Sequence, residues 1–89
     1  MYEIRLTDAY RKKALKFFKK HPDLKQRYRQ VMMLLRIDPF VEAIEIKKMS
    51  GHKNLYRLRL TLRARVVMEI LISDKIITPI DIDTRENIY

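Results

Sequence analysis

Apolar residues recur at helical spacing through the first part of the chain. Between residues 8 and 20, and between 22 and 37, they return every three or four positions, which predicts two amphipathic helices. Thr7 or Asp8 supplies the side-chain oxygen that caps the first helix. Pro22 begins the second helix, and Asp38 before a proline ends it. The expected buried positions are Tyr10, Ala14, Phe17 and Phe18, then Leu24, Tyr28, Val31 and Leu35.

Alternating or continuous apolar segments on either side of these helices predict strands. The segments cover residues 2–6, 44–49, 55–61, 65–72 and 76–83, with turns at 50–54 and 73–75. Pro79 cannot donate a ladder hydrogen bond, so the last strand lies at an edge or is bulged there. A strand, a helical hairpin and an antiparallel meander predict an α+β fold with helices packed on one face of a sheet. The length predicts a single domain over residues 1–89.

The net charge of the chain indicates that this small globular domain has an anionic partner. Lys and Arg number 20 against 11 Asp and Glu, which gives a net charge of +9. Nucleic acid is the first candidate for the partner, an acidic protein the second and an anionic membrane surface the third. A merely soluble surface is the remaining alternative.

The chemistry available to the chain is restricted by what it lacks. There is no cysteine, which excludes disulfides and thiolate chemistry and fits a reducing cytoplasm. No apolar run is long enough to span a bilayer, and the N-terminus does not have the pattern of a signal peptide. Neither metal-ligand spacing nor a glycine-rich phosphate loop is present. We therefore expect a cytoplasmic protein without metal or small-molecule cofactor.

Arginine residues recur at every second position near the middle of the chain. Arg57, Arg59, Arg63 and Arg65 share a period of two with Thr61, which on a continuous strand places them all on one face. Like charges side by side reduce stability, so this arrangement favours a bound polyanion, which guanidinium groups grip well. A hairpin near residues 61–63 is the alternative to one long strand, although the usual turn residues are missing there.

Several segments, taken together and in order, resemble the RelE/ParE toxin superfamily. They are residues 51–59, which include the basic strand, residues 65–70, which begin with arginine, and residues 81–89, which hold a late arginine and a tyrosine. Asp38-Pro39-Phe40 and the segment 47–51 also match the family pattern. The likeness covers nearly the whole chain. It implies a RelE-like fold, an antitoxin encoded beside the gene, and an endoribonuclease that cuts mRNA on the ribosome without metal.

The family's site residues can be carried over one by one. Arg57 and Arg59 stand at the basic positions of the strand, and Arg65 stands at the arginine that opens the next strand. Arg85 matches the late arginine and Tyr89 the terminal tyrosine. The resemblance implies that a ribose 2′-hydroxyl attacks the adjacent phosphodiester, that the arginines stabilise the phosphate charge, and that Tyr89 stacks on a base. We expect further RNA contacts from Lys47, Lys48, Lys53 and Arg63.

The proton acceptor is where the chain departs from the family. Relatives use a lysine, or a glutamate with a histidine, whereas the matching strand here carries Arg59, and arginine does not accept protons at neutral pH. Lys53, His52 and Glu45 are the candidates. Two alternatives remain open for the function: a ParE-like inhibitor of DNA gyrase, and a basic RNA-binding module without catalytic activity.

Overall fold

Two helices account for most of the first half of the protein. The fold is given by a computed structural model, which describes residues 1–84. Helix α1 covers Asp8–Lys20, and the Thr7 hydroxyl accepts a hydrogen bond of 3.1 Å from the amide of Tyr10. A single 3₁₀ turn, Pro22–Leu24, leads into α2, Lys25–Ile37. The predicted cap at Thr7 and the ends of both helices are therefore confirmed, while the α-helical part of the second helix begins three residues after Pro22.

Five strands form one mixed sheet in the order β1-β5-β4-β3-β2. The meander from β2 to β5 is antiparallel as predicted, while the short β1 pairs in parallel with β5. The helices pack on one face of this sheet, so the predicted α+β architecture is confirmed. The strands are β1, Glu3–Ile4; β2, Glu45–Lys48; β3, Leu55–Arg59; β4, Ala64–Leu71; and β5, Ile76–Thr84.

The core lies between the helices and the sheet. Val31 and Leu35 of α2 are buried against sheet residues that are themselves at most 2% exposed, such as Leu58, Met68 and Ile82. The expected helix positions all belong to this cluster, although Ala14, Leu24 and Tyr28 are only partly buried. One sheet face is thus covered by helices, and alternate residues of β3 and β4 point to the opposite face.

Pro79 interrupts the hydrogen-bond ladder between β4 and β5, because proline has no N–H to donate. Val67 is opposite Asp81, yet the next residue, Met68, is opposite Pro79, so Ile80 is an extra residue in β5. This bulge accommodates a residue that cannot donate a ladder hydrogen bond. Within residues 1–84, no helix combines the length and the apolar character needed to cross a membrane.

A pair of tyrosines joins the two helices inside this core. The hydroxyls of Tyr10 and Tyr28 share a hydrogen bond of 2.8 Å, and Tyr10 is only 2% exposed. Burial raises the pKa of Tyr10 above its ordinary value, and the neighbouring Tyr28 adds to the effect. Burial also raises the pKa of Tyr28. Both phenols therefore keep their protons in the folded state when the unfolded chain has begun to lose them.

This pair makes folding sensitive to alkaline pH. Because the folded pKa is raised, the contribution of Tyr10 is fully present below the unfolded value of about 10 and is lost as the pH rises above it. We expect the free energy of unfolding to fall by about 1.4 kcal/mol per pH unit for this group above that point. Urea unfolding between pH 8 and 11 measures the slope. The Tyr10→Phe/Tyr28→Phe variant should show a shallower decline, and an equal decline in both proteins would contradict this assignment.

Candidate functional site

Strands β2, β3 and β4 bring basic side chains together around one cleft. In the sheet register Lys47 lies opposite Arg57, and Arg59 lies opposite both Glu45 on β2 and Arg65 on β4. Residues directly opposite each other share a face, with Cβ atoms about 5 Å apart. The cleft has a volume of about 320 Å³ and contains four cations and one carboxylate. Its lining consists of Ile44, Glu45, Ile46, Lys47, Arg57, Arg59 and Arg65.

Of the two alternatives for this segment, one long strand and a hairpin, the structure has the hairpin, so the prediction that all four arginines share one face is wrong. Strand β3 ends at Arg59 and β4 begins at Ala64, so residues 60–63 form the hairpin that was the alternative. Arg63 therefore lies in a turn and lines a separate groove beside Phe17 of α1, not the arginine cleft. Leu62, which the same period of two would place on the face opposite the arginines, is at the tip of the hairpin and 75% exposed. Only Arg57, Arg59 and Arg65 of the proposed row meet.

Side chains replace the missing turn residues in this hairpin. The Thr61 hydroxyl accepts from the amides of Arg63, at 3.3 Å, and Ala64, at 3.2 Å. On the other side, Nη1 of Arg65 donates to the carbonyl of Thr61 at 2.8 Å. The same nitrogen lies 3.4 Å from the Leu62 carbonyl and 3.3 Å from that of Ala64. Serine and threonine hydroxyls are known to bond nearby backbone amides in turns. The role of Thr61 was missed because it was treated as one more face residue.

Glu45 is the acidic member of the cleft, and its place there distinguishes the candidates for a proton acceptor. Its Oε2 lies 3.2 Å from Nη1 of Arg59. His52 and Lys53 are exposed residues of the β2–β3 turn and are not part of the cleft lining. The period of two that links Glu45 to Lys47, and the antiparallel pairing of β2 with β3, were the signals for this position.

The remaining predicted site residues lie elsewhere. Lys48 is opposite Tyr56, whose side chain is buried in the core, so it points to the sheet face opposite Lys47. Lys53 extends from the turn that precedes β3. Arg85 and Tyr89 lie outside the described residues 1–84. On β5, which β4 separates from β3, Asp81 and Asp83 form ion pairs with Lys13 of α1.

Solved structures with the same arrangement of elements identify the fold. RelE from the archaeal RelE–RelB complex of Pyrococcus horikoshii OT3 is similar over 94% of each chain, with a TM-score of 0.74 and 23% identity. YafQ from E. coli strain BL21(DE3) matches over 100% of this chain and 99% of its own, with a TM-score of 0.78 and 15% identity. The chain has the fold of RelE-type toxins. A RelB–RelE antitoxin–toxin complex from Methanococcus jannaschii, at 21% identity and a TM-score of 0.74, covers 94% of this chain and 93% of that one.

The resemblance noted in the sequence is therefore confirmed at the level of the fold. No family model matches the chain, and no curated protein does so either. At identities of 15 to 23%, the RelE-type fold positions the cleft, while the chemistry has to be argued from the residues that line it.

The ion pair between Glu45 and Arg59 adds little to stability, although it organises the cleft. The two side chains are 67% and 41% exposed, and exposed pairs contribute at most about 1 kcal/mol. In a double-mutant cycle with Glu45→Ala and Arg59→Ala, we expect a coupling energy below about 1 kcal/mol. Urea unfolding at low and high salt measures it. A coupling of several kcal/mol that persists in high salt would show that the pair serves mainly to hold the fold together.

Proposed function

We propose that the protein is the toxin of a toxin–antitoxin pair, an endoribonuclease that cuts mRNA held on the ribosome. The observation that carries the proposal is a cleft on a RelE-type fold in which one carboxylate stands among four cations. Cations on adjacent strands suit a phosphate backbone, and the carboxylate suits a proton acceptor. A surface that merely tolerated exposure would not need this concentration of one charge.

Three basic side chains of the cleft, Lys47, Arg57 and Arg59, bind the backbone of single-stranded RNA. Arg57 and Arg59 are two residues apart on β3, so they repeat at about 6.7 Å, close to the distance between successive phosphates of an extended strand. Lys47 lies beside Arg57 on β2 and widens the same surface. Lys48, Lys53 and Arg63 lie outside the cleft and contact RNA that extends beyond it.

Cleavage in this cleft uses groups of the protein and the RNA together with water as the proton source for the leaving oxygen. Glu45 takes the proton of a ribose 2′-hydroxyl, whose oxygen then attacks the adjacent phosphorus. The bond from phosphorus to the 5′-oxygen breaks, that oxygen takes a proton from water, and a 2′,3′-cyclic phosphate remains. Arg57 and Arg59 stabilise the negative charge that develops on the phosphate oxygens, and the Arg59 guanidinium also orients Glu45.

The family pattern supplies two further groups, beyond residue 84. Arg85 adds a guanidinium for the phosphate, and Tyr89 stacks on a base so that the attacked linkage is held in line. The family pattern also includes Arg65, whose guanidinium donates to a carbonyl of the hairpin.

An acidic antitoxin is the proposed protein partner. RelE of P. horikoshii and RelE of M. jannaschii were both crystallised with RelB. A toxin with a net charge of +9 is neutralised best by an acidic chain that covers its basic surface. The protein then acts in the cytoplasm, as a single domain over residues 1–89.

Cleavage of RNA in a translation extract tests the function. The purified protein should cut ribosome-bound mRNA and leave 2′,3′-cyclic phosphate ends, and a message with a 2′-deoxy sugar at the cut site should resist. Glu45→Gln should lower kcat by about 10²- to 10⁴-fold, the usual contribution of a general base. Glu42→Gln, which makes the same charge change three residues away and outside the cleft, is the matched control.

The basic residues have a separate signature in the salt dependence of RNA binding. Loss of one phosphate contact reduces the slope of log affinity against log salt by about 0.7 for single strands. We expect this change for Arg57→Ala and no change for Arg27→Ala on the exposed side of α2. RNA binding with this salt dependence but without cleavage would favour the alternative of an RNA-binding module without catalytic activity. Inhibition of gyrase while mRNA stays intact would favour the ParE-like alternative.

The antitoxin is tested by co-expression with the adjacent open reading frame. A short acidic product of that frame should co-purify with the protein at equal stoichiometry and restore growth of cells that the protein alone arrests. Dissociation of the pair should increase with salt, because opposite charges dominate the association. An adjacent frame whose product neither binds nor protects would argue against a toxin–antitoxin pair.

A further inference from the structure

Arg65 is the one buried charged side chain among residues 1–84, with 4% of its surface exposed. A guanidinium stays charged at any ordinary pH, and a buried charge is tolerated only where polar groups surround it. Here the surrounding groups are backbone carbonyls of the hairpin, the nearest at 2.8 Å on Thr61. The charge is therefore already solvated by the protein's own backbone.

The hairpin relies on side chains to close because its sequence lacks the residues that usually form a tight turn. Residues 60–63 contain no glycine, proline, asparagine or aspartate. In the described part of the chain, the residues with positive φ are Gly51 and Lys75, both in other turns. The hairpin closes instead through the Thr61 hydroxyl, which accepts two amides, and through Arg65, which donates to the carbonyls. The Thr61 hydroxyl thus satisfies backbone N–H donors of the turn, and the Arg65 guanidinium satisfies backbone carbonyl acceptors.

The hairpin in turn positions the reactive side chains of the cleft. It sets the register in which Arg59 lies opposite Arg65, and on the other edge of β3 Arg59 lies opposite Glu45. A change at residues 60–64 therefore moves Arg59, and with it the carboxylate that Arg59 contacts at 3.2 Å. An arginine that binds phosphate needs an exposed fork of donors, which the burial of Arg65 does not provide.

We infer that Arg65 is a positioning residue: it holds the β3–β4 hairpin so that Arg59 and Glu45 are correctly placed, and it does not bind the scissile phosphate. This inference concerns the same cleft as the proposed nuclease function. Only the measurements of RNA cleavage rest on that function, and the amide-exchange measurement does not. The positioning role differs from the role that the family pattern implies for this arginine, which is direct stabilisation of the phosphate.

Thr61→Val tests the inference without touching the cleft or the arginine. The change keeps the shape of the side chain and removes the hydroxyl that accepts from the amides of Arg63 and Ala64. If position is what Arg65 supplies, Thr61→Val should lower kcat for RNA cleavage about tenfold with KM changed less than twofold. Arg65→Ala should show the same pattern, and the double variant should be no slower than the slower single variant, because both act through one element.

Direct phosphate binding predicts a different pattern. Thr61→Val would then cleave at the wild-type rate, and Arg65→Ala would lose a thousandfold or more with the hairpin intact. Arg65→Lys separates the two roles further, since a lysine ammonium can reach a carbonyl and should recover at least half of the rate lost in Arg65→Ala if positioning is the role. A lysine variant as slow as the alanine variant would overturn the inference.

Two control variants exclude trivial effects. Leu62→Ala changes the exposed tip of the same hairpin and should leave kcat unchanged. Tyr28→Phe removes a hydrogen bond between the helices, so it lowers the melting temperature by several degrees without reaching the hairpin. Its kcat should equal that of the wild type at 25 °C. A loss of activity in Tyr28→Phe as large as that in Thr61→Val would mean that general destabilisation, not positioning, explains the result.

Amide exchange tests the inference even if the protein cuts no RNA. The amide of Leu60 donates to the carbonyl of Ala64 at 3.0 Å across the hairpin. We expect its hydrogen exchange to be at least tenfold faster in Arg65→Ala than in the wild type, while the amide of Ile70, near the other end of β4, changes less. Unchanged exchange at Leu60 would overturn the positioning role. Absence of cleavage by the wild-type protein would refute only the nuclease proposal.

Discussion

The closure of the β3–β4 hairpin is the constraint on which the rest of the site depends. A two-strand connection has to reverse the chain within residues 60–63, and it has to satisfy the backbone groups exposed there. Thr61 and Arg65 do so from opposite sides, one as acceptor and one as donor. Because side-chain orientation alternates along a strand, a shift of one residue here would turn Arg59 towards the core.

Most of the fold was predictable because it follows from local chemistry. The cap at Thr7, the proline that opens the 3₁₀ turn at residue 22 and the helical period of apolar residues define α1 and α2. Pro79 required an irregularity in the last strand, and the bulge at Ile80 is that irregularity. These features depend on neighbours within a few residues. The parallel pairing of β1 with β5 depends on residues more than seventy positions apart, which no local pattern reveals.

The candidate site was predictable only in part, since it depends on where a strand ends. The period of two correctly placed Arg57 and Arg59 on one face. The same alternation misplaced Arg63. A turn interrupts the strand there, and because the turn contains no glycine or proline, the sequence pattern does not reveal it. Glu45 lay on a different strand, so its approach to Arg59 followed from the pairing of β2 with β3 and not from spacing along the chain.

Charge compensation explains why the cleft can be strongly basic without opposing folding. Four directly opposite residues cross the sheet in the order Glu45, Arg59, Arg65, Asp83, so the two arginines are flanked by acidic residues. Arg59 is paired at an exposed position, where water weakens the pair and a phosphate can compete for it. Arg65 is bonded to carbonyls in a buried position, where an incoming anion would first have to break the hairpin. The exposed Arg59 is therefore suited to binding phosphate, whereas the buried Arg65 is suited to holding the hairpin. The difference in exposure determines the role of each arginine.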